Sequence, residues 1–182
     1  MAYMEAGNSS EPDLPSVERR LSLGIGGDIV VPPPVALVLA VALGFVLQFF
    51  FGRHPFLPWP LSLGFVRLLL LILALLAFCG LFSMASGELM RRDVNPAFGP
   101  VNGLATGGVY GATRNPIYLA FLVLATAVAC FFQSLPVLLC TLFLYVYLTY
   151  GVIAVEERHL LKLFGEEYAE YKRTVPRYIL CC

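Results

Sequence analysis

Charge is what this sequence has least of. Only 13% of its 182 residues are Asp, Glu, Lys or Arg, against about a quarter in a soluble domain. The 12 basic and 12 acidic side chains cancel, which removes the general electrostatic case for a nucleic-acid partner. Histidine is nearly absent, with 2 in the whole chain. His54 sits in a Gly-Arg-His-Pro turn and His159 on a solvated helix turn, so no Ser/His/Asp or Cys/His set stands out. The 5 cysteines show neither zinc spacing nor a disulfide framework, and no metal is expected. Cys79, Cys130 and Cys140 lie inside apolar runs, and Cys181 and Cys182 close the chain. That last pair has the position of a lipid anchor, although free thiols are the simpler reading. The first residues also lack the basic start and short apolar core of a cleaved secretory signal.

What remains is apolar. Hydrophobic residues make up 59% of the chain, and the mean hydropathy is +0.80. Runs of that kind predict an all-α integral membrane protein with about four transmembrane helices. Residues 1–30 are polar and aperiodic and read as a flexible tail. Residues 31–182 read as one membrane domain, entered through Val31-Pro32-Pro33-Pro34. Its spans are expected at 35–51, 61–85, 117–132 and 137–155. Trp59 marks an interfacial segment, and Arg67, near the start of the second run, is expected to snorkel. Gln133-Ser134-Leu135-Pro136 is short enough only for an antiparallel helical hairpin. Tyr145, Tyr147 and Tyr150 give the fourth run polar handles for packing. Beyond it the helix becomes amphipathic. Glu157, Leu161, Phe164, Tyr168 and Tyr171 fall on one face by helical spacing, with a bend or stop at Gly165.

Lys and Arg set the orientation. With four spans, Arg19, Arg20, Arg91, Arg92, Arg114, Arg158, Lys162, Lys172, Arg173 and Arg177 fall on one side, and only Arg53 and Arg67 near the other. The positive-inside rule then makes this a multi-pass protein with both termini, the C-terminal helical segment and any active site at the cytoplasmic face.

Two polar places interrupt the apolar pattern. The first is Gly107-Gly-Val-Tyr-Gly-Ala-Thr-Arg-Asn-Pro-Ile-Tyr118. Asn115 reads as a helix cap and Pro116 as the first helical residue. A basic residue beside free helix N–H groups suits a carboxylate. The second is Glu156-Glu157 at the foot of the last span, where acids need water, a cation or a partner. Together they offer a guanidinium, backbone donors, tyrosine faces and two carboxylates, with little general-base capacity. A ligand bearing a carboxylate, an ammonium, a diol and a sulfonium fits that set, namely S-adenosylmethionine. A structural Arg–Glu pair between helices fits the same residues.

Leu104-Ala-Thr-Gly-Gly-Val-Tyr110 with Arg114-Asn-Pro-Ile-Tyr118 resembles the first signature of the isoprenylcysteine carboxyl methyltransferase family, whose form related phospholipid methyltransferases share. Glu156-Glu157, Leu163-Phe-Gly-Glu-Glu-Tyr168 and the stretch 171–176 resemble the second. The resemblance implies a cytoplasmic cofactor site closed over by the C-terminal segment, with a lipophilic acceptor entering from the bilayer. Leu104, Ala105, Tyr110, Asn115, Pro116, Ile117, Tyr118 and one or both of Glu156 and Glu157 would contact S-adenosylmethionine. Arg114 would order the loop or pair with a Glu. The implied reaction is carboxyl O-methylation of an isoprenylcysteine-like substrate, since a carboxylate needs no base to become nucleophilic. A phospholipid or other small lipophilic acceptor is the alternative enzyme reading, and a non-catalytic membrane scaffold the alternative outside enzymes. The chain departs from the prenylcysteine enzymes at Asn115, where they have His. It also lacks a basic residue in 149–155.

Overall fold

The computed structural model describes residues 31–52, 54–91 and 103–179, and regular structure among them is helical. The tail expected over 1–30, the turn-rich stretch 94–102 and Cys181-Cys182 lie outside the described residues.

Helix α1 spans Pro33–Phe51. It begins two residues before the expected 35 because prolines fill its first positions, where a missing N–H costs nothing. Gly52, with φ +83°, ends it and returns its N–H to Gln48 O at 2.8 Å. Helix α2 spans Gly64–Met90, shifted from the expected 61–85. Its start is delayed by a turn in which Ser62 and Leu63 bond back to Pro58 O and Pro60 O. Its end runs on through Ser86 to Met90, a stretch with no helix-breaking proline. Helix α3 spans Pro116–Phe132, with Pro116 in its first turn as expected. Helix α4 spans Leu135–Val146, and the Ser134 side chain caps it by accepting from Val137 N at 3.3 Å. A π turn, Tyr147–Ile153, follows directly and leads into α5, Ala154–Phe164. Gly165, at φ +52°, separates α5 from α6, Glu166–Thr174.

Among the described residues, three helical stretches are long and apolar enough to cross a membrane: Pro33–Phe51, Gly64–Met90 and the continuous Leu135–Phe164. Helix α3 is the shorter apolar one, at 17 residues, or roughly 25 Å against a hydrocarbon core of about 30 Å. It is also enclosed by protein. Ala120, Phe121, Ala125, Ala127 and Ala129 are all buried, and its small residues let neighbouring helices approach closely. By contrast, Ala85 alone is buried on α2, and many of its large side chains, Phe65, Leu69, Leu73 and Leu76 among them, face outward, as lipid contact requires.

The four long elements run antiparallel. Helix α2 packs on α3, α1 on α4, and α3 on α4. At one end Arg67 Nη1 donates to Phe131 O at 2.7 Å, and Gln133 Nε2 to Ser62 O at 3.4 Å. The Arg67 charge, expected to snorkel, thus meets a carbonyl at the C-terminus of α3, where the helix dipole favours a cation. At the other end the Tyr147 hydroxyl donates to Val31 O at 2.6 Å and accepts from Val31 N at 3.1 Å. Between the ends α1 and α4 meet at Gly44, where an added Cβ would stand 2.6 Å from Val137 Cα. The start of α1, the end of α2, the start of α3 and the α4–α5 junction are thereby gathered at one end of the bundle.

Candidate functional site

Both polar places found in the sequence lie at that end. Gly108, at φ +58°, starts a short 3₁₀ turn, Gly108–Gly111. Tyr110 closes it and is buried against Ala85 and Ala105, with Leu89, Val109 and Ile117 around them. Leu104, just upstream, is buried against Tyr168 and Tyr171 of α6. The Tyr171 hydroxyl donates to Tyr110 O at 2.7 Å. Burial, more than any neighbouring charge, pushes the Tyr110 and Tyr171 hydroxyls far above the usual phenol range, so both remain protonated donors.

Asn115 occupies the cap position of α3, but its side chain makes no cap bond. The reason is tertiary. Its Nδ2 donates to Arg177 O at 3.0 Å, and the Thr113 hydroxyl donates to the same carbonyl at 3.0 Å. Arg114 N donates to Pro176 O at 3.0 Å and Arg114 Nε to Val175 O at 2.9 Å. The C-terminal segment therefore lies along the loop that the sequence singled out, and occupies donors a free cap would have kept.

Glu156 and Glu157 diverge because consecutive helical residues point about 100° apart. Glu157 is buried and faces three cations. Arg114 Nη1 donates to its Oε1 at 2.9 Å. Arg177 grips it with two bonds, Nε to Oε1 at 2.9 Å and Nη2 to Oε2 at 2.7 Å. Lys172 Nζ lies 3.3 Å from Oε2. The carboxylate, by accepting from Arg177, holds that guanidinium above its ordinary range. Glu156 instead accepts the Tyr118 hydroxyl at 2.5 Å. Tyr178 stands nearby, with its hydroxyl 3.3 Å from Thr149 Oγ1 and its ring 5.8 Å from that of Tyr145.

The structure thus brings Leu104, Ala105, Tyr110, Arg114, Asn115, Pro116, Ile117, Tyr118, Glu156 and Glu157 to one end of the bundle. The side chains of Leu104, Ala105, Pro116 and Ile117 go into packing. The face drawn by simple helical counting is corrected. Leu160 and Phe164 pack against Tyr168 and Tyr171, whereas Leu161 is 47% exposed; Gly165, at φ +52°, ends α5, so one helical count does not carry across into α6. Thr113, Lys172 and Tyr178 join the site without a local signal in the sequence. The expected pairing of Arg114 with a Glu foreshadows the ion cluster in part, while the sequence does not single out the partners from the C-terminal segment.

The profile of the family described as phospholipid methyltransferase matches residues 66–167. A curated relative, methanethiol S-methyltransferase 1 of Bradyrhizobium diazoefficiens, is 38% identical over 76 residues. That alignment takes in 39% of this chain and 24% of the relative, so the likeness concerns a part of each. No solved structure matches.

Proposed function

Because the chain belongs to the phospholipid methyltransferase family, an integral membrane group, we propose that it moves a methyl group from S-adenosylmethionine to a lipophilic acceptor. The observation that carries this reading is the meeting of Tyr118 and Glu156 at 2.5 Å. It joins the two signature stretches, distant in sequence, at the end of the bundle where the loop of Gly108 opens.

The donor set suits the proposed cofactor. Glu156 offers a carboxylate to an ammonium or a ribose diol, and Tyr118 fixes that carboxylate's orientation. Tyr118 also presents an aromatic face, which attracts a cationic centre. When bound, the cofactor supplies an electrophilic methyl on a sulfonium. The acceptor's lone pair forms the new bond as the carbon–sulfur bond breaks, and S-adenosylhomocysteine leaves neutral at sulfur. The chain's own part is to hold both partners in line and to keep water away, which is where rate is gained without a strong base. The cytoplasmic placement of this end follows from the Lys/Arg bias.

An isoprenylcysteine-like carboxylate is the acceptor that the signatures favour. A small thiol is the second reading, favoured by the name of the Bradyrhizobium relative; unlike a carboxylate, it must lose a proton before transfer. Labelled S-adenosylmethionine should be incubated with the protein in detergent and a panel of prenylcysteine, phospholipid and alkyl-thiol acceptors. Label is expected in one class. Absence of any cofactor binding by calorimetry would leave the scaffold reading standing instead.

A further inference from the structure

Resting on that reading, we propose that Glu157 is a positioning residue rather than a cofactor ligand: it pins the C-terminal segment against the loop before α3, and the pinned segment shapes the cofactor site. Both of its oxygens are already engaged, Oε1 by Arg114 and Arg177, Oε2 by Arg177 and Lys172. Two of those cations, Lys172 and Arg177, belong to the C-terminal part, whereas Arg114 belongs to the loop. The carboxylate is therefore the common point of two chain segments.

Tyr171 also bridges the seam, donating to Tyr110 O, and the bonds nearest the fork depend on register. Thr113 and Asn115 converge on the single carbonyl of Arg177. Arg114 holds Pro176 O and Val175 O. Each is a bond to a backbone oxygen of the segment whose position the Glu157–Arg177 fork sets. The side chains of Arg114 and Glu157 are 6% and 8% exposed. Removing the Glu157 charge leaves the buried Arg114 guanidinium without its carboxylate, and that is the costly way to break such a pair. The same segment carries Tyr178, beside Thr149. A loosened segment thus disturbs the surroundings of Glu156 without touching Glu156 itself.

The test uses the full chain in detergent, with hydrogen exchange read on peptides covering 110–116 and 171–179 and S-adenosylmethionine affinity and turnover read in parallel. In Glu157→Gln, exchange of the Arg114 and Val175 amides is expected to rise on the order of a hundredfold. The KM for S-adenosylmethionine should rise about tenfold or more, with kcat at saturating cofactor nearly unchanged, as for a defect that binding repairs. Glu157→Asp, which retains the charge, should restore part of both. Glu156→Gln should lose affinity with exchange in the two segments unchanged. Lost affinity in Glu157→Gln with unchanged exchange would make Glu157 a ligand and overturn the proposal. So would raised exchange with unaltered affinity. If Glu157→Gln does not fold, Arg177→Gln removes the fork from its other side and is read the same way. Wild-type protein that binds no S-adenosylmethionine would sink the methyl-transfer reading, and the exchange measurements alone would then decide whether Glu157 pins the segment.

Discussion

The Tyr118 hydroxyl and the Glu156 carboxylate, 2.5 Å apart, form a charge-assisted hydrogen bond, roughly twice as strong as a neutral one. Replacing Tyr118 by Phe retains the ring and removes the donor. The expected result is a loss of about 1.5–3 kcal/mol in the ordering of Glu156, seen as a tenfold or greater fall in S-adenosylmethionine affinity by calorimetry with little change in thermal stability. An unchanged affinity would mean that the pair serves packing alone. In the sequence this pair was legible as two members of one candidate site, but not as a contact. Tyr118 and Glu156 belong to different signatures, and nothing local says that they touch, or that Glu157 turns toward Arg114 instead.

At the scale of elements, the helices are held in contact by a few close approaches. Gly44 is the tightest, since its added Cβ would lie 2.6 Å from backbone of Val137. Backbone cannot yield as a side-chain tip can, so Gly44→Ala should force α1 from α4 and cost about 1–3 kcal/mol, read as a lowered thermal midpoint in detergent. Gly80→Ala on α2 is the matched control. Nothing lies within 4 Å of its added Cβ, and it should be neutral or gain up to about 1 kcal/mol from helix propensity. Ser134→Ala removes the cap of α4 and should cost about 1 kcal/mol. Ser134 was not singled out as the cap, although the hairpin turn was visible beforehand. The glycine crossing was not, because a sequence does not state which helix faces which. The π turn at Tyr147–Ile153 was equally silent, being a matter of hydrogen-bond register inside a stretch that reads as plain helix.

Across the whole molecule, the antiparallel order sets the 3₁₀ loop and the turn at Ser62 at opposite ends of the bundle. Single cysteines at Thr106 and Ser62, in a background with the native cysteines replaced, should therefore be labelled by an impermeant thiol reagent from opposite sides of a sealed vesicle. The Lys/Arg bias adds that Thr106 answers from the cytoplasmic side. Labelling of both from one side would contradict the four-crossing arrangement. The apolar runs by themselves determined the solvent, the helical class, the approximate ends of α1 to α3 and the start of α4, because a backbone in lipid must satisfy its hydrogen bonds within its own segment. The signature stretches by themselves determined where chemistry would be sought. Only the tertiary structure decided which acid takes the tyrosine and which the three cations, and that Asn115 gives up its cap to hold Arg177. Those choices depend on how a segment some sixty residues downstream returns to the loop, and a charge chooses its partner by distance in space, which spacing along the chain does not contain.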